Sequence, residues 1–215
     1  INYPGRNGLN SGTADLTLNS PVKVLMGGIF SSGGTVTFGA EATGTSFAEE
    51  NTGMRLENTN LNLQTDLNVS GIHLSGTSLL QTNGNKLNID RAIELGVQNE
   101  FDFTDVTTDN ETYLDLAGDV SITKTGDLVF KSLNIKGYQL TLNPNITSLT
   151  IKHIWLLNDW DSSDANYMAS TGELLAQGVD VTLTKPLWVE KGKFKMGDGT
   201  LTLEQGGQLG EGGEL

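Results

Sequence analysis

The sequence predicts an all-β chain wound as a parallel β-helix, a β-solenoid of short strands, and three observations carry that expectation. An apolar–x–apolar doublet recurs almost from end to end. Spacing of two puts both side chains on one face of a strand, so each doublet reads as a very short strand with one buried face. Gly, Asn, Asp, Thr and Ser punctuate the gaps between doublets. Hydrophobic residues are only 36% of the 215, and 27 residues are glycine. That balance suits a core made of a narrow line of inward side chains rather than a thick centre.

Taken in order, residues 1–15 are rich in Gly and Asn and predict a flexible N-terminal arm. Residues 16–215 predict one solenoid domain. Its doublets begin at Leu16/Leu18 and Val36/Phe38 and continue through Leu61/Leu63, Leu67/Val69, Ile72/Leu74, Leu87/Ile89 and Ile93/Leu95. Phe101/Phe103, Leu114/Leu116, Val120/Ile122, Leu133/Ile135, Leu140/Leu142 and Leu149/Ile151 follow, then Val181/Leu183, Leu187/Val189 and Leu201/Leu203. Three short strands to a turn give coils of roughly 20–25 residues, the period of a parallel β-helix, and about nine coils in all. Two stretches without doublets predict protruding loops, near 39–53 and near 156–178, the second followed by a short helix around Glu173–Gln177. An antiparallel β-sandwich is the alternative, but its turn signals come every 8–12 residues. Doublets packed as closely as Leu61 to Ile72 favour the solenoid.

Net charge of −13 argues against nucleic acid and anionic membranes as partners, since both repel it. Uncharged groups supply most of the polarity, with 19 Asn, 25 Thr and 14 Ser. The chain has no cysteine, so it carries no disulfide framework and no thiolate metal site. No apolar run approaches the roughly 18 residues of a membrane span, so no membrane insertion is expected. A chain beginning at Ile1 reads as a processed or excised segment, and the expected location is extracellular or on the cell surface.

Candidate sites are few. Asp159, Asp161 and Asp164, with Asn158 and Asn166 beside them, offer oxygen ligands for a hard cation such as calcium. The loop lacks the glycine and terminal glutamate of an EF-hand, and a solvated polar loop accounts for the same residues. No cofactor other than that calcium is implied. Catalysis by paired carboxylates has its only dense supply in Asp102, Asp105, Asp115 and Asp119, with Arg91 and Lys124 at the margins. Their separations do not assign them to one face. His73, between Ile72 and Leu74, is expected to point outward, and neither it nor His153 has a neighbour that suggests a triad. The expectation is therefore a protein that is not an enzyme. Trp155 and Trp188 read as coil interior, while Trp160 and Tyr167 are the candidates for stacking on a ligand. Residues 90–119 hold nine acidic side chains against Arg91, and Lys185, Lys191, Lys193 and Lys195 face only Glu190 in 185–195. Opposed patches of this kind can orient a contact between subunits.

The segments LNLQTDLNVSGIHLSG and VSITKTGDLVFKSLNIKGYQLTLN, with their doublets and Asn/Gly corners, resemble the right-handed β-helix of secreted bacterial adhesins. Autotransporter passenger domains and filamentous-haemagglutinin-type proteins share that texture, and the likeness covers about residues 16–203. The resemblance implies an extended extracellular protein that attaches, spaces or assembles. The expected function is structural and adhesive, with copies joining head to tail into a filament or stalk. The assembly interface would comprise Leu201, Leu203, Leu209 and Leu215 with Lys191, Lys193 and Lys195. A β-helix that binds or cleaves carbohydrate, with a surface glycan as partner, is the second expectation.

Overall fold

Parallel strands stack as a β-solenoid of about eight turns. The computed structural model describes residues 8–25, 27–47, 52–96, 100–154, 166–168, 172–189, 192–209 and 214–215. Every described strand pairing is parallel, which excludes the antiparallel sandwich. Among the described residues there is no α-helix, only a 3-10 turn at Ala40–Ala42. The chain divides into two compact units, Ile1–Gln98 with Asp105–Thr108, and Asn99–Thr104 with Asp109–Leu215.

In the first unit the doublets line up in columns. Leu16, Val36, Leu61 and Leu80 are successive partners across four strands, 19 to 25 residues apart. The strands Leu67–Ser75 and Leu87–Gly96 each carry two sides of a coil without a break. The start of the first pairs with Ser46–Phe47, its end with Gly53–Glu57. Val36, Phe38, Leu61, Leu63, Leu67 and Leu87 are fully buried, and each such side chain contributes about 2 kcal/mol by leaving water. The column Gly8, Gly28 and Gly53 sits where the backbones of successive coils lie in close contact. A Cβ on Gly28 would strike the carbonyl oxygen of Gly53, so only glycine fits there.

Two expectations in this unit change. Gly8–Gly12, within the stretch read as an arm, is a strand paired with Gly28–Ser31, because backbone pairing needs no apolar side chain to signal it. The stretch 39–53 contributes buried Ala42, Thr45 and Phe47, and Ser46–Phe47 pairs with Lys23–Val24. The five residues beyond twenty that separate Val36 from Leu61 are taken up here, partly against the coil.

The second unit repeats the plan. Val120, Leu140, Leu174 and Phe194 form one buried column. Leu149, Val181 and Leu201 form a second column, buried at its first two positions. One coil is long, with 32 residues from Leu149 to Val181, and the turns number about eight where nine were expected. The short helix expected at Glu173–Gln177 is instead a strand, Glu173–Leu175. It lies between Gln139–Leu142 and Lys193–Lys195, and alternation buries Leu174 and Ala176. Tertiary pairing outweighs the weak helical propensity of Glu, Leu and Ala here.

Aspartates staple the coils together. Asp15, Asp66, Asp119 and Asp180 each stand just before a doublet. Each accepts a hydrogen bond at 2.7–2.8 Å from the backbone N–H twenty residues on, that of Thr35, Lys86, Gln139 and Thr200. Asn side chains do similar work across coils, as in Asn88 donating to Asn68 at 2.7 Å.

Candidate functional site

Two places stand out from this regular stack. At the last coil of the second unit, Leu201 and Leu203 continue the columns of Val181 and Leu183, yet they are half-exposed where the preceding pair is fully buried. The strand Gly207–Leu209 pairs with Leu187–Val189, its one described partner. Leu209 is 47% exposed and Leu215 is 56% exposed. Leu187, Leu203, Gly207, Gln208, Leu209 and Leu215 line an open cavity of about 310 Å³. Four of these six residues are leucines, so the wall is mostly apolar.

Lysines near this coil are not an unanswered positive patch. Lys193 Nζ lies 3.3 Å from Glu214 and Lys195 Nζ 3.5 Å from Glu173. Glu214 is also held through its backbone, with Phe194 N–H donating to its carbonyl at 2.9 Å. Exposed pairs of this kind contribute little energy, about 0–1 kcal/mol, and what they supply is register. Lys191 lies outside the described residues.

Asp159, Asp161, Asp164 and Trp160 also lie outside the described residues. Tyr167 belongs to the strand Asn166–Met168, which pairs with Leu187–Val189. Among the described residues no three His, Cys, Asp or Glu side chains gather as a metal site would require. Carboxylates considered for catalysis are engaged in structural hydrogen bonds. Asp102 accepts from Thr104 N–H at 2.8 Å, Asp105 from the Thr82 hydroxyl at 2.6 Å and Asp119 from Gln139 N–H at 2.8 Å.

The second place is on the first unit. Arg55, His73 and Glu94 occupy one register position on three successive strands. Alternation sets His73 on the face opposite Ile72 and Leu74, but its exposure is only 7%, so the expected solvent-facing histidine is buried. Its ring is engaged at both nitrogens. Nδ1 lies 3.2 Å from Glu94 Oε1 and Nε2 lies 3.1 Å from Ser75 Oγ. The Glu94 carboxyl is lowered to about 2, with the hydrogen bond from His73 the largest cause, against the burial that raises it. An ionised carboxylate only accepts, so Nδ1 carries a proton toward Glu94, and in the neutral ring Nε2 then accepts from the Ser75 hydroxyl. Sequence reasoning missed this group because Glu94 is 21 residues from His73. Aligning the chain at the coil period would have put the two side by side, with Ser75 two residues along the same strand face.

Set against known proteins, the chain has no match among family models, curated proteins or solved structures.

Proposed function

We propose that this chain is a structural, adhesive protein of the cell exterior whose solenoid coils join end to end with a second copy, in the manner of a filament or stalk. The observation that supports the reading is the apolar cavity lined by Leu187, Leu203, Leu209 and Leu215, with Leu209 and Leu215 exposed beside the strand Gly207–Leu209. A strand edge accepts another strand, and apolar side chains around it supply the driving energy. A contact between two different ends does not close on itself and propagates.

Negative-stain microscopy and sedimentation of the purified chain over a range of concentrations test this. Concentration-dependent fibres are expected, and Leu203→Asp with Leu209→Asp should abolish them while leaving the far-ultraviolet β signature intact. Fibres that persist unchanged in the double variant, or dispersed particles at every concentration, overturn the proposal. Dispersed particles that retain a neutral or acidic polysaccharide would support the carbohydrate reading instead.

A further inference from the structure

We propose that Ser75, His73 and Glu94 form an activated serine on the outer face of the first unit, able to take an acyl group from an ester. The three groups form a chain of hydrogen bonds, Ser75 Oγ to His73 Nε2 at 3.1 Å and His73 Nδ1 to Glu94 Oε1 at 3.2 Å. This is the order of nucleophile, base and orienting carboxylate that serine acyl transfer requires. The imidazole is buried, which restricts its rotation and limits competition from water, while Ser75 is half-buried and reachable.

The backbone around Ser75 is fixed. Its carbonyl accepts from Asn58 N–H at 3.0 Å and from the Ser78 hydroxyl at 2.7 Å, and Gly76 after it turns the chain at φ +66°. Beside it on the next coil stands Gly96, where a Cβ would come within 2.7 Å of the Ser75 Cβ. Glycine at that position leaves the flank of the serine open. On the other side of His73 from Glu94, Arg55 is exposed and in register, about 4.8 Å along the sheet. The strand that carries Arg55 also sets Glu57 directly beside Ser75, so any help from the cationic side chain to the negative oxygen of an acyl carbon under attack belongs to the proposal.

The reaction balances without any added group. Ser75 Oγ bonds to the acyl carbon as its proton passes to His73 Nε2. The bond from that carbon to the leaving oxygen breaks, and the same proton leaves with the alcohol. Water then adds to the acyl-serine, gives its proton to His73, and the carboxylic acid departs as Ser75 recovers the proton. Nothing is oxidised or reduced. Glu94 remains ionised throughout and acts as a positioning residue.

Labelling with a fluorophosphonate, read by intact mass and peptide mapping, tests the proposal, with p-nitrophenyl acetate as the turnover probe. One adduct on Ser75 is expected in the native chain and none in the urea-unfolded chain. His73→Gln should slow labelling on the order of a hundredfold, the usual contribution of a general base. Glu94→Gln should lower kcat for the acetate ester with KM little changed. Absence of a Ser75 adduct, equal labelling of the unfolded chain, or an undiminished rate in a folded His73→Gln protein overturns the proposal. If His73→Gln fails to fold, the unfolded-chain comparison and Glu94→Gln still decide.

Discussion

His73 and Glu94 show how a residue's chemistry is set by its neighbour on the next coil. Glu94 has an ordinary value near 4.5 and is lowered to about 2 in the folded chain, first through the hydrogen bond from His73. A carboxyl lowered by folding stabilises the fold above its unfolded value, and that contribution fades as pH falls from about 4.5 toward about 2. With the Glu94 side chain about one-fifth exposed, the contribution is on the order of 1–2 kcal/mol after allowance for solvent screening. Glu94→Gln is therefore expected to be less stable than the parent at pH 6–7 and to converge with it near pH 2. Urea midpoints across that range check this, and a constant difference at all pH values would refute the assignment.

At the scale of the strand, the aspartate before each doublet links its own element to the one a coil later. Asp119 opens the strand Val120–Thr123 and accepts from Gln139 N–H, at the start of Gln139–Leu142. Replacing it by alanine leaves that N–H to water and removes one bond between strands. Asp119→Ala is expected to cost about 1 kcal/mol, the net worth of a single exposed hydrogen bond. A thermal unfolding curve reads the loss, and Asp119→Asn, which retains an acceptor, should recover most of it. The glycine column Gly8, Gly28 and Gly53 acts at the same scale. There the close approach of backbones, rather than the freedom of any turn, requires the missing side chain.

For the whole molecule the governing quantity is the net charge of −13. Copies repel at long range, and salt shortens that range to about 10 Å at 0.1 M. If apolar burial around Leu203, Leu209 and Leu215 drives assembly, added salt should promote it by screening the repulsion. Light scattering at fixed protein concentration should rise between low and high ionic strength. Scattering that falls with salt would assign the contact to ion pairs between copies, and not to the leucines.

Doublets of period two, turn formers between them and a coil of about twenty residues were all legible in the sequence. They determined an all-β chain of parallel stacked strands, because each doublet has one apolar face and only stacking buries it. Contacts across coils were not legible, because local pattern carries no record of which residue lies one turn away. Tertiary structure decided that Glu173–Leu175 is a strand between two others, that Gly8–Gly12 joins the sheet, and that Asp119 staples two coils. It also decided the encounter of Ser75, His73 and Glu94. Those outcomes depend on register, and register is set when inward columns such as Ile72 with Ile93 and Leu74 with Leu95 pack against one another.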